Sequence, residues 1–290
     1  MITSLLSAAM FFYVSSPVID MREQSNDTSE IVSQAYYSEL VNVLEETPDW
    51  CKIETTADHY QGWVKSKDLY KRPVKFLSDP GCIVAKVNRC AAHLYNVQDT
   101  IYGPILTLPF DSLLEILDPK DPSSNSRWIK VGLIDGREAF IQRGDVTFNS
   151  ELLDHFKMCN LSLFFLDLPY TWGGRSSFGF DCSGFVQMLY RQMGYSIPRD
   201  TKDQIKWEKF KSISVDELSP GDLIFFGLDK DKIRHVGLYL GNQKFIHATV
   251  QENSPYIHIS SLTDPDWNGL GRFTYKTART LAETNNNIEK

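Results

Sequence analysis

The feature that most constrains the fold is a weak internal repeat in the N-terminal half. Residues 38–70 and 112–148 carry the same succession of segments. Leu40-Val41-Asn42-Val43-Leu44 answers to Leu113-Leu114-Glu115-Ile116-Leu117, and Trp50-Cys51-Lys52-Ile53 to Trp128-Ile129-Lys130-Val131. Gly62-Trp63-Val64 answers to Ala139-Phe140-Ile141. Each copy runs apolar strand, charged turn, tryptophan strand, tight turn, aromatic strand. Alternating strands between loops rich in Asp, Thr and Pro read as β structure. The repeat is too short for a solenoid, so it predicts two small barrels of about five strands each.

The pattern changes near residues 148–156. A helical stretch around Glu151–Asn160 precedes 161-LSLFFLDLPYTWGGRSSFGF-180, and a second helix follows from Cys182. Short strands come after it, at 223-LIFFG-227, 234-RHVGLYLG-241 and 244-KFIHATV-250. Helix first and strands after, with tight turns, predict an α+β domain with an antiparallel sheet. The division is 1–72 and 73–149 for the two barrels, 150–282 for the α+β domain, and 283–290 for a disordered tail.

A net charge of −7 over 290 residues argues against nucleic-acid binding, and no glycine-rich phosphate loop is present. Cys51, Cys82, Cys90, Cys159 and Cys182 are odd in number and include no C-x-x-C, which suits free thiols in a reducing compartment. The first 18 residues contain an apolar run but carry no Lys or Arg before Arg22, unlike a secretory signal, and the run is too short for a membrane span. Tyr13–Met21 is expected as a first strand instead, and the protein as cytoplasmic, with export as the alternative.

Within 179-GFDCSGFVQMLYRQMG-194, Phe185, Val186, Leu189, Tyr190 and Met193 recur at helical spacing, and Gly194 is a stop. Asp181 caps this helix, so Cys182 lies where unpaired N–H groups and the helix dipole favour a thiolate. A packing cysteine is the other reading of that position.

A thiolate nucleophile needs a base. His235 opens the strand 235-HVGLYL-240, with Gly237 and Tyr239 on its face and Val236, Leu238 and Leu240 on the other. His247 follows in the next strand. A two-residue loop near 241-GNQ-243 would put the two histidines on opposite faces, whereas an odd loop makes them diagonal neighbours. If both act, the loop must be odd, and His247 orients His235. Zinc held by Cys182, His235 and His247 is the alternative, but no close ligand pair supports it. His59, His93, His155 and His258 have no partner pattern and read as surface or structural.

Together, 170-YTWGGRSSFGFDCSGFVQMLY-190, 198-PRDTKDQ-204, 219-SPGDLIFF-226, 235-HVGLYLG-241 and 245-FIHA-248 resemble the NlpC-type cysteine peptidases, papain-like peptidoglycan endopeptidases. The preceding repeat resembles bacterial Src-homology-3-like domains, as found in the subgroup of γ-D-glutamyl-L-diamino-acid endopeptidases. The second copy also reads as a structural module without a ligand.

The resemblance implies Cys182 as nucleophile, His235 as base, His247 as the orienting residue and Tyr170 as an oxyanion donor. It implies that Asp181 binds the free amine of the substrate and that Ser183 contacts the substrate. It further implies that Glu39 and Tyr60 in the first barrel complete the amine pocket. An Asp beside the nucleophile would raise its pKa, and a substrate ammonium would relieve that conflict.

The implied activity is hydrolysis of the γ-D-glutamyl–diamino acid (meso-diaminopimelate) bond in stem peptides with a free N-terminal L-Ala. No cofactor is required. The partners are stem peptides or muropeptides, with no nucleic acid and no stable membrane insertion. An amidase or acyltransferase with the same triad, and a non-catalytic wall-binding protein, are the alternatives.

Overall fold

A computed structural model describes residues 10–148, 151–250 and 254–282. They group into two compact units divided between Glu151 and Leu152, with residues 176–178 counted in the first. The signal reading of residues 1–18 falls largely, and the disordered tail at 283–290 wholly, outside the described residues.

In the first unit, β1 (Phe11–Val14), β2 (Val18–Arg22), β3 (Ile31–Tyr36), β4 (Leu40–Glu46), β5 (Trp50–Thr55), β6 (Gln61–Lys65) and β7 (Leu69–Arg72) make one sheet. Its order is β3-β2-β6-β5-β4-β1-β7. A second sheet comprises β8 (Ile83–Val87), β9 (Ala91–Tyr95), β10 (Leu106–Pro109), β11 (Leu113–Ile116), β12 (Trp128–Gly132), β13 (Glu138–Gln142) and β14 (Val146–Phe148). Its order, β10-β9-β13-β12-β11-β8-β14, repeats the first with every number raised by seven. The internal repeat is therefore topological as well as sequential, and it has seven strands where about five were expected. The matched segments are the central strands β4, β5, β6 and β11, β12, β13, whose inward residues carry the alternation. Ile53, Val64, Ile129, Val131, Ala139 and Ile141 are all fully buried there.

The expected strand over Tyr13–Met21 is two strands, β1 and β2, separated at residues 15–17. Pro17 has no N–H to give a ladder at the break. Two tyrosines tie the sheets together. The Tyr13 hydroxyl accepts from Phe76 N at 3.0 Å and the Tyr37 hydroxyl from Ile134 N at 2.8 Å, each buried in a core shared by both sheets.

The chain continues through α1 (His155–Leu163), a ribbon of β15 (Arg175–Ser176) and β16 (Gly179–Phe180), α2 (Cys182–Gln192) and α3 (Thr201–Gln204). Then come β17 (Phe210–Ile213), β18 (Leu223–Gly227), β19 (Ile233–Gly241), β20 (Lys244–Thr249), β21 (Tyr256–Ser261) and β22 (Tyr275–Leu281). These six strands form an antiparallel sheet in the order β17-β22-β18-β19-β20-β21. Helix α1 begins four residues later than expected, because Asp154 is its cap and accepts from Lys157 N at 2.7 Å.

Helix α2 starts where the sequence places it. The Asp181 carboxylate accepts from Gly184 N at 2.7 Å. The helix ends in a Schellman arrangement, with Tyr195 N donating to Tyr190 O and Gly194 N to Arg191 O, both at 3.0 Å. It is buried from Cys182 through Tyr190 rather than along one stripe. Its start is pressed on neighbouring backbone: a Cβ on Gly184 would lie 2.1 Å from Gly174 O, so only glycine fits there.

Candidate active site

The hairpin β19–β20 sets the geometry of the two histidines. Asn242 and Gln243, with φ of 52° and 60°, form a two-residue turn closed by the pair Gly241 and Lys244. The expected odd loop is absent. A bulge does its work instead, because Tyr239 pairs with Phe245 while Gly241 pairs with Lys244, leaving Leu240 as an extra residue. Continuing that register sets Gly237 opposite His247 and His235 one diagonal step away on the same face. His235 Nε2 and His247 Nδ1 are 2.7 Å apart.

His235 is the third residue of β19, paired with Phe226, rather than the opening residue of a strand. Gly237 makes room for the Phe245 ring, since a Cβ at that position would come within 2.5 Å of Phe245 Cδ2. Aromatic rings enclose the His235 imidazole. Trp267 lies 5.1 Å away, centroid to centroid, and Phe226 and Phe273 lie 6.1 Å away. Burial in this cage pushes His235 down to about 3, with His258 and Arg272 adding repulsion. Burial also drives His247 well below the usual histidine range, with His235 and His258 as further causes.

Cys182 is the first residue of α2 and is 8% exposed. Its sulfur lies 3.8 Å from Thr201 Oγ1 and also meets the backbone N–H of Val236, the residue after His235. The thiol thus stands beside the histidine strand. The expectation of a lowered thiol pKa is reversed. Burial first, then Asp181, push Cys182 up to about 11, against the smaller lowering effects of Thr201, Val236 and Arg199. Both shifts favour the uncharged form, thiol at Cys182 and neutral imidazole at His235.

Asp181 caps the helix as expected but does not turn a carboxylate oxygen outward. Oδ1 accepts from Gly184 N, from Arg199 Nη1 at 3.0 Å and from the Ser183 hydroxyl at 3.2 Å. Oδ2 accepts from Arg199 Nη2 at 2.6 Å and from Gly173 N at 3.1 Å. Arg199 Nη1 also donates to Ser183 Oγ at 2.8 Å, and all three side chains are buried. A buried carboxylate needs such a partner.

Tyr170 is half-buried and bridges to Phe180 two residues ahead of the cysteine. Burial pushes its phenol up, and the neighbouring Cys182 and Asp181 push it further. Glu39 and Tyr60 lie in the first unit. They precede β4 and β6, which flank β5 and run the same way, so both stand at one end of the first sheet. There Glu39 Oε2 accepts from Tyr36 N at 3.3 Å, and Tyr60 N donates to Thr55 Oγ1 at 3.1 Å.

Four residues of this site carry no role in the sequence reading: Arg199, Thr201, Gln204 and Ser260. The first three lie in 198-PRDTKDQ-204, a motif that marks the family without revealing what each side chain does. Gln204 Nε2 donates to Ser183 O at 3.0 Å and Pro198 O at 2.9 Å, tying α3 to the start of α2. His247 Nε2 lies 3.0 Å from Ser260 Oγ. Among the described residues, no group of His, Cys, Asp or Glu is placed to hold a metal ion, and no helix is long and apolar enough to cross a membrane. All five cysteines are free.

The NlpC/P60 family matches residues 167–270, a span that contains Tyr170, Cys182, Arg199, His235, His247 and Ser260. A bacterial SH3 domain matches residues 17–70, within the first sheet. The chain is 32% identical over 245 residues to the γ-D-glutamyl-L-lysine dipeptidyl-peptidase of Bacillus subtilis (strain 168), covering 81% of this chain and 77% of that protein. It is 28% identical over 252 residues to dipeptidyl-peptidase 6 of Lysinibacillus sphaericus, covering 81% and 86%. An NlpC/P60 family protein from Bacillus cereus ATCC 10987 has a similar fold, with a TM-score of 0.79 at 23% identity over 95% of this chain and 100% of that one. With a relative this similar over most of both chains, and a thiol and paired histidines inside the matched span, the chain belongs to the NlpC/P60 family.

Proposed function

We propose that this protein is a cysteine endopeptidase that hydrolyses the γ-D-glutamyl–diamino acid bond of peptidoglycan stem peptides. One observation carries the reading: Cys182 starts a buried helix against Val236, and the adjacent His235 meets His247 at 2.7 Å. This juxtaposition supports the reading of Cys182 as nucleophile, His235 as base and His247 as orienting group.

The Cys182 sulfur attacks the γ-carbonyl of D-Glu as its proton passes to His235. Because both groups rest neutral, that transfer accompanies attack rather than preceding it. The tetrahedral oxyanion forms by the start of α2, where the helix dipole and the Cys182 N–H favour negative charge, and Tyr170 is assigned as the second donor. The diamino-acid amine leaves with the proton from His235, and a thioester remains. Water, deprotonated by His235, then releases the acyl group and restores the thiol.

Residues 1–72 and 73–149 are read as two Src-homology-3-like modules, and 150–282 as the catalytic domain. Asp181, with Arg199 as its standing partner, is assigned to the free amine of the substrate, and Ser183 to a contact with the substrate. Glu39 and Tyr60 are assigned to its free amine. The role assigned to this activity is muropeptide recycling or wall remodelling, with the cytoplasm as the proposed compartment and the envelope as the alternative.

The test is incubation with L-Ala-γ-D-Glu-L-Lys and L-Ala-γ-D-Glu-meso-diaminopimelate, each free and N-acetylated. Release of the diamino acid, lost in Cys182→Ala, supports the reading, and the better substrate identifies the preferred diamino acid. Cleavage of acetylated peptides, or unchanged selectivity in Glu39→Gln and Tyr60→Phe, removes the amine assignment. No cleavage of any of the four peptides overturns the substrate.

A further inference from the structure

A base acting on the Cys182 thiol needs an unprotonated nitrogen to receive the proton. His235 Nε2 is occupied by His247 Nδ1, so Nδ1 is the nitrogen left for the thiol. A neutral imidazole carries one proton. In the productive form, His235 therefore holds it on Nε2 and donates to His247 Nδ1. His247 is also buried and neutral, so its own proton must be on Nε2. That N–H is fully buried and needs an acceptor.

Ser260 supplies one. It lies opposite Phe245 in the β20–β21 register, one diagonal step from His247, and its hydroxyl reaches His247 Nε2 at 3.0 Å. We propose that Ser260 is a positioning residue: by accepting the His247 Nε2–H, it holds both imidazoles in the tautomer that leaves His235 Nδ1 free for the thiol. When His235 takes the proton, the same chain stabilises the imidazolium, because His247 Nδ1 remains an acceptor. The opposite arrangement, with His247 protonated on Nδ1, would place the resting proton of His235 on Nδ1 and block the base. The inference rests on the reading of Cys182 and His235 as nucleophile and base.

The test combines ring-nitrogen NMR of the full chain, labelled with ¹⁵N-histidine, and steady-state kinetics on the peptides above. The wild type is expected to show His247 protonated at Nε2 with Nδ1 as acceptor. Ser260→Ala is expected to lose that signature and about ten-fold in kcat, with KM within about two-fold. Ser260→Thr, which keeps the oxygen, is expected to restore both. A wild-type His247 protonated at Nδ1 overturns the proposal, as does a Ser260→Ala enzyme with unchanged kcat. A kcat loss that threonine does not rescue marks a packing role and also overturns it. If the wild type cleaves none of the peptides, the catalytic reading fails, while the nitrogen shifts still report the tautomer.

Discussion

Arg199 grips both oxygens of Asp181, at 2.6 and 3.0 Å, directly beside the cysteine whose thiol Asp181 pushes up. The acid is needed to cap α2, and its charge opposes the thiolate. The guanidinium offsets only part of this conflict, since Arg199 lowers the thiol less than Asp181 raises it, and a substrate ammonium is the expected source of the remaining relief. Replacing Arg199 with Met leaves a buried carboxylate without its partner. Arg199→Met is expected to cost about 3–5 kcal/mol of stability in urea unfolding, with Arg199→Lys losing less. A loss below about 1 kcal/mol would mean that the pair is solvated.

The neutral resting pair has a kinetic signature. With Cys182 pushed up to about 11 and His235 down to about 3, the thiolate fraction grows with pH across the neutral range. Inactivation by iodoacetamide should climb continuously from about pH 6 to about pH 10. Thr201→Val should slow it roughly three- to ten-fold by removing a donor to sulfur. A flat plateau through neutral pH would show a preformed ion pair instead.

Burial of the two histidines couples stability to acid. Each binds a proton less readily folded than unfolded, so their contribution is intact above about pH 6.5 and is lost as pH falls toward the folded values. For His235 that window closes at about 3. Thermal midpoints measured from about pH 7 down to about pH 4 should fall less steeply in His247→Gln than in the wild type. Parallel slopes would sink the linkage.

Gly237 is a steric test of the hairpin. A methyl group there meets the Phe245 ring at 2.5 Å, and Phe245 packs on both His247 and Trp267. Gly237→Ala is expected to cost about 1–3 kcal/mol and to lower kcat more than it raises KM. Full stability and activity would show that the ring moves aside freely.

The fold and the chemistry were legible to different depths. Cys182 at a capped helix start, and the histidines on adjacent strands, follow from short-range patterns of helical spacing, caps and alternation. The repeat is visible in the central strands, where inward residues must be apolar, and lies outside the matched spans in β1 and β8. Arg199 and Ser260 act through partners 18 and 13 residues away, in contacts that no local periodicity encodes. The thiol pKa was read with the wrong sign because a helix start is a sequence feature and burial is not. The loop parity was wrong for a similar reason, since counting from the turn misses a bulge inside the strand.

That bulge decides the side on which His235 stands. His235 and His247 are twelve residues apart, and they face each other only because Leu240 is unpaired. If Leu240 joined the ladder, regular pairing from Gly241 and Lys244 would set His247 opposite Leu238, and His235 would turn onto the side that Val236 now occupies. A chain without Leu240 would keep the facing with no bulge at all, because Tyr239 would still pair with Phe245 beside the closing pair. The facing of the two histidines is thus held by one irregularity of pairing that the identity of the residues on either strand does not spell out.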